Sequence, residues 1–138
     1  MTNPHPNVEL LMRLDLRDLD ASAALFSEDF VWHFFNPKLP DVHGDYAGVD
    51  GLKAFFDALS RTTKGSFNVR PVSVTPVGNE LLVVHVQDMM NLEGVPLETD
   101  AVVVWRIVDG RFTEAWDIPA VFSPPPPRAN NEAGTRDN

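Results

Sequence analysis

The sequence predicts an α+β domain, and three observations carry that expectation. Helix-like apolar spacing is confined to the first half of the chain, around positions 8–26 and 50–59. Four β-favouring runs then follow one another between 67 and 118 with no helical stretch between them. The turns joining those runs, Gly78-Asn79, Glu93-Gly94 and Asp109-Gly110, favour antiparallel hairpins over β-α-β crossovers.

Each element has its own signal. Val8, Leu11, Met12, Leu14, Leu16 and Leu19 make an imperfect helical stripe. Asp20 reads as the N-cap of a second short helix containing Ala23, Ala24, Leu25 and Phe26. The aromatic run 30–35 predicts a strand that Asn36-Pro37 stops. Positions 36–48 show little periodicity and read as a loop. Asp50 is placed to cap a helix whose Leu52, Phe55, Phe56 and Leu59 fall on one face, with Gly65 at its exit. Strands are expected at 67–75, 81–90, 101–108 and 112–118. The last two, joined by Asp109-Gly110, form the clearest hairpin in the chain.

The domain is expected to span 8–122. Residues 1–7, with two prolines and two asparagines, should fray. The segment 123–138 opens on four consecutive prolines after Ser123, continues with small polar residues, and is expected to be disordered.

Composition narrows the function classes. With 138 residues the chain is long enough for one sizeable core and too short for two ordinary domains. Eleven basic against twenty acidic side chains give a net charge of −9, which argues against nucleic acid and anionic membrane surfaces as partners. Cysteine is absent, which removes disulfides, thiolate metal sites and cysteine nucleophiles. No basic-then-apolar leader and no long apolar run is visible, and a cytoplasmic location is expected.

The strands are apolar on both faces. Along 81–90, Leu81, Val83, His85, Gln87 and Met89 alternate with Leu82, Val84, Val86, Asp88 and Met90. A sheet with one wet face should alternate more cleanly. Helices cover one face, so a second subunit is expected on the other, giving a homodimer through the outer sheet face.

The segment 17–33, running from Arg17-Asp18-Leu19-Asp20 to Phe30-Val31-Trp32-His33, resembles the opening of nuclear transport factor 2-like domains. So do Tyr46-Ala47-Gly48-Val49-Asp50-Gly51-Leu52, Phe55-Phe56, and the closing hairpin to Trp116-Asp117. The resemblance is to the SnoaL-like polyketide cyclase and ketosteroid isomerase branch, and it covers about 8–120. It implies a cone-shaped fold in which about three helices and a curved, mostly antiparallel sheet enclose an apolar cavity. By its register, Trp32, Phe34, Val83, His85, Gln87, Val103, Trp105, Ala115 and Asp117 would point inward. Phe112, Trp116 and Ile118 would then point to the dimer side, whereas alternation read without the family places those three in the core.

Asp117 matches the aspartate that serves as general acid/base in the SnoaL-like branch. A carboxyl in an apolar cavity has its charged form disfavoured, which suits proton transfer near neutral pH. The competing reading is an exposed aspartate or one paired with Arg106. His85 and Gln87, two residues apart, would orient or polarise a substrate carbonyl; a histidine satisfied by a core hydrogen bond is the alternative. His33 falls out of phase with Trp32 and Phe34 and is expected to face away. Trp32, Phe34, Phe55, Val103, Trp105 and Ala115 would line the cup, with Tyr46 as a hydroxyl at its mouth. Asp41, His43 and Asp45 lack a second histidine at ligand spacing, so neither a metal nor another cofactor is expected. Phe34, Val103 and Leu10 stand where the ketosteroid isomerase group carries its base and hydroxyl or acid donors, so steroid isomerisation is not expected. What remains is acid/base chemistry of isomerase, cyclase, dehydratase or hydrolase type on a small apolar carbonyl or cyclic substrate. A non-catalytic binding or dimerisation module is the alternative.

Overall fold

The computed structural model describes residues 5–122; the tail 123–138 and the first four residues lie outside that range. Helix α1 (Pro6–Arg13) is followed by the short α2 (Leu19–Ser22), a 3-10 turn (Ala23–Leu25) and β1 (Phe26–Phe34). Then come β2 (Gly44–Ala47), α3 (Gly48–Thr63), β3 (Asn68–Val77), β4 (Leu81–Leu92), β5 (Val95–Val108) and β6 (Arg111–Pro119). The six strands form one curved, unclosed sheet in the order β2-β1-β6-β5-β4-β3, antiparallel throughout except for the parallel pair β1–β6. Helix α3 lies on β1 and β2, and α1 packs on β3 and β4. The α+β expectation holds.

Local differences have local causes. The second helix is capped by Asp18, whose carboxylate accepts from the Ala21 backbone N–H at 3.1 Å, and not by Asp20. Asp20 pairs with Lys53 of α3 instead. Strand β2 arises within the expected loop because Tyr46 and its neighbours pair with Trp32 across β1. Helix α3 starts two residues before Asp50 and ends with Lys64 and Gly65 both in left-handed backbone. Strand β5 begins at Val95, six residues before the expected start, so β4 and β5 form a long ribbon.

Two turns set the directions of the side chains. Glu93 and Gly94 both have positive φ, as a two-residue hairpin turn requires, and they pair Leu92 directly with Val95. From there each odd-numbered residue of β5 sits beside an even-numbered residue of β4. Val103 therefore shares its face with Val84, and Trp105 shares its face with Leu82. Leu82, Val84, Val86 and Asp88 point inward, and Val83, His85 and Gln87 point outward. This corrects the expectation that placed those three with Val103 in the interior.

The second turn, Asp109-Gly110, starts β6 with Ile107 opposite Phe112, and the register then shifts so that Trp105 faces Ala115. A β-bulge absorbs Thr113 and changes which parity points inward. Phe112 is fully buried before it, and Ala115 and Asp117 are buried after it. The family register is right for Trp116 and Ile118, which face out, and plain alternation is right for Phe112, which belongs to the core. Phe112 packs against Phe26 and Trp105, at centroid distances of 5.3 and 4.7 Å. Phe112→Ala is expected to cost about 3–5 kcal/mol. Ile118→Ala, at a side chain that is 47% exposed, should cost less than about 1 kcal/mol. Urea denaturation of the two variants checks the placement, and equal losses would contradict it.

Candidate functional site

The interior between sheet and helices holds two adjoining cavities. The larger, about 430 Å³, is walled by aromatic and aliphatic groups that include Trp32, Phe55, Phe56, Val84, Val86, Val103 and Trp105. The smaller, about 270 Å³, is lined by Phe34, Asn36, Leu39, Leu59 and Leu97 among others. Phe67, Asp88 and Asp117 line both. The Trp32 ring meets Phe55 and Trp105 at centroid distances of 5.4 Å each, so the wall of the larger cavity is also part of the core.

Asp117 is 8% exposed and Asp88 is 7% exposed. Burial lifts Asp88 from the ordinary 3.8 to about 7. Burial also raises Asp117 well above the ordinary value, and the charge of Asp88 adds to that shift. No donor offsets this, since Asp117 Oδ1 is fully buried without a hydrogen-bond partner among the described residues. The Trp32 indole Nε1, from another wall of the larger cavity, is likewise buried and unpartnered. Buried polar atoms without partners are uncommon in folded chains; Ser27 Oγ is a third, and it lines neither cavity. Arg106 does not neutralise Asp117; it reaches Glu80 at 2.9 Å and Glu114 at 3.0 Å on the other side of the sheet.

The structure gathers most of the expected residues and disperses the rest. Trp32, Phe55, Val103 and Trp105 line the larger cavity, and Phe34 lines the smaller. Ala115 is buried beside them but touches neither space. His85 does not join Asp117: its Nε2 bonds Asp100 Oδ1 at 2.8 Å on the outer face. Gln87 accepts from Arg70 on that same face. The Tyr46 hydroxyl donates to the Val42 carbonyl and lines neither cavity. His33 faces out as expected, with Nδ1 2.7 Å from Asp45 and Nε2 2.7 Å from Glu114. Partial burial acts to lower its pKa, but those two carboxylates outweigh it and raise it above 6.5. In the loop, His43 Nδ1 accepts from the Asn36 backbone N–H at 2.9 Å.

Asp88 is the functional candidate that sequence reasoning missed. Its signal was present as a carboxylate in the Leu82, Val84, Val86 series, an apolar set broken by one acid. The raised pKa has a consequence for stability. Between about pH 4 and 7 the native chain holds a proton on Asp88 that the unfolded chain has released, so stability falls as pH rises through that window. Asp88→Asn removes this loss. Relative to wild type, the variant is expected to gain on the order of 2–4 kcal/mol between about pH 4.5 and pH 8, measured by denaturant titration at each pH. A difference that does not change with pH would contradict the buried, protonated state.

Comparison with known proteins places this geometry. A family model described as the SnoaL-like domain matches residues 9–115. No protein of curated function matches the sequence. Among solved structures, Bal32a from a soil-derived mobile gene cassette is 18% identical, with 84% of this chain and 90% of that one covered at a TM-score of 0.70. TerC, co-crystallized with polyporic acid, is 22% identical over 82% of this chain and 90% of its own, with a TM-score of 0.69. An NTF2-like protein of unknown function from Burkholderia pseudomallei is 23% identical over 79% and 81%, with a TM-score of 0.63. At these identities the structural neighbours establish the α+β cone fold, and the family match extends across all the cavity-forming elements up to Ala115. This chain belongs to the SnoaL-like domain family.

Proposed function

We propose that the protein is a cofactor-independent acid/base catalyst for a small apolar carbonyl or cyclic substrate, with Asp117 as the group that transfers the proton. The observation that carries this reading is a buried carboxyl, its Oδ1 unpartnered, on the wall of an apolar cavity. Burial raises the pKa of such a group, so it can give a proton to an oxygen that gains charge and then take one from carbon in return. Asp88 supports this, because two like charges lining one cavity resist simultaneous ionisation, and the charge of Asp88 adds to the rise of Asp117. The aromatic wall suits a flat ring. TerC, which has the same fold, was co-crystallized with polyporic acid.

A second reading, a binding module that returns its ligand unchanged, is favoured by the outward turn of His85 and Gln87. Their absence leaves the two carboxyls as the ionisable groups of the larger cavity among the described residues. Proton exchange separates the readings. Aryl ketones in D2O, followed by NMR, are expected to lose α-hydrogens faster with the protein present, and Asp117→Asn should slow this about 100-fold or more. Binding without exchange by the wild type would leave the module reading, and an Asn variant that exchanges at full rate would remove Asp117 from the chemistry.

The same account takes the protein as a cytoplasmic homodimer formed through the outer sheet face. Val102 and Ile118 are exposed there, and Trp116 lies beside them with Arg106 5.1 Å from its ring centre. Light scattering at micromolar protein is expected to return twice the mass of the 15.3 kDa chain, and Trp116→Glu should lower it toward one chain. A monomeric wild type would contradict the dimer.

A further inference from the structure

The two cavities differ in chemistry as well as size. The larger is walled almost entirely by carbon, with Asp88 and Asp117 as its charged-type groups. The smaller adds donors: Asn36, Lys38 and Thr99 all line it. Asn36 is buried, and its position is fixed by its own backbone. Its Oδ1 accepts from the Lys38 N–H at 3.1 Å, and its N–H donates to His43. That leaves the Nδ2 amide with no acceptor among the described residues. Lys38 Nζ has no carboxylate within ion-pair distance among them either; its recorded contact is with the ring of Phe122, 5.7 Å away. Two acids, Glu98 and Asp100, line the smaller cavity as well; like Lys38 they are exposed, and Asp100 is held by His85.

We propose that the two cavities form one binding passage, narrowed at Asp88, Asp117 and Phe67, for a ligand whose reacting group lies in its middle. An apolar ring fills the larger space, the reacting carbonyl sits between the two carboxyls, and a short arm ending in an oxygen acceptor reaches Asn36 and Lys38. This rests on the acid/base reading and adds a substrate class to it: a ring-bearing ketone with a carboxylate or carbonyl arm a few carbons away. A cavity walled only by carbon would favour the ring and gain nothing from such an arm. The donors at Asn36 and Lys38 supply that gain, and the two spaces meet at the proton-transferring groups.

Three probes test it by ligand-observed NMR titration: acetophenone, hexanophenone and 4-benzoylbutyrate. The first has the ring and carbonyl, the second adds an apolar arm, and the third ends its arm in a carboxylate. The wild type is expected to bind 4-benzoylbutyrate at least about tenfold more tightly than acetophenone, and more tightly than hexanophenone. Leu97→Trp, which fills the smaller cavity, should abolish the advantage of both arms while leaving acetophenone within about twofold. Lys38→Met should remove the advantage of the carboxylate alone and leave hexanophenone unchanged. Equal binding of all three probes, or arm gains that survive Leu97→Trp, would overturn the passage while leaving the acid/base reading intact. Failure of acetophenone itself to bind would overturn both.

Discussion

A side chain on a β-strand has only two directions to point, and in this chain that constraint decides what the interior contains. The Glu93-Gly94 turn fixes β4 against β5, and every residue of β4 follows from it. The bulge at Thr113 then reverses the parity of β6 partway along. Together they send Asp88 and Asp117 into the same interior from strands on either side of β5. A slip of one residue on β4 would exchange Asp88 for Gln87 and fill the cavity wall with His85. The site is thus a consequence of two short pieces of backbone, neither of which touches it.

Holding two carboxyls in a carbon-lined space opposes folding at neutral pH. Groups kept for stability alone would be paired or replaced by apolar residues. Here the surrounding core is well filled. Phe30, Phe55, Phe112, Leu52 and Leu82 are almost wholly enclosed, and Trp32, Phe34, Phe55 and Trp105 from β1, α3 and β5 meet edge to face or tilted. That packing offsets the cost of the acids. The outer face balances charge differently, through a chain from Glu80 to Arg106, Glu114, His33 and Asp45 in which opposite charges lie within 3.0 Å of each other. The sheet therefore separates a paired, more exposed set of ionisable groups from an unpaired, buried one. The buried set is where perturbed protonation is expected to serve chemistry.

Much of the fold was legible. The hairpin at Asp109-Gly110, the aromatic β1 and the amphipathic α3 each carried a strong local signal, and their order pointed to the family. The inward direction of Asp117 was legible through that resemblance. The direction of β4 was also available in principle, because a two-residue turn at Glu93-Gly94 pairs even with odd positions. The family register places His85 and Gln87 in the site, whereas that turn sends both to the outer face. The bulge at Thr113 had no signal of its own: Arg111-Phe112-Thr113-Glu114 alternates like any strand. Strand β2 was hidden because its partner, Trp32 and its neighbours, lies fourteen residues away across an irregular loop. Such pairing follows from tertiary contact and leaves no local pattern.

The central claim is that Asp117 and Asp88 line one buried, largely apolar interior and that burial raises both their pKa values. The most direct measurement is the carboxyl carbon chemical shift of each aspartate in selectively labelled protein, followed by NMR from about pH 3 to pH 9. The account predicts that Asp88 titrates near 7, that Asp117 titrates above the ordinary carboxylate range, and that replacing Asp88 with asparagine lowers the midpoint of Asp117. Two carboxyls that titrate near 3.8, indifferent to each other, would contradict it.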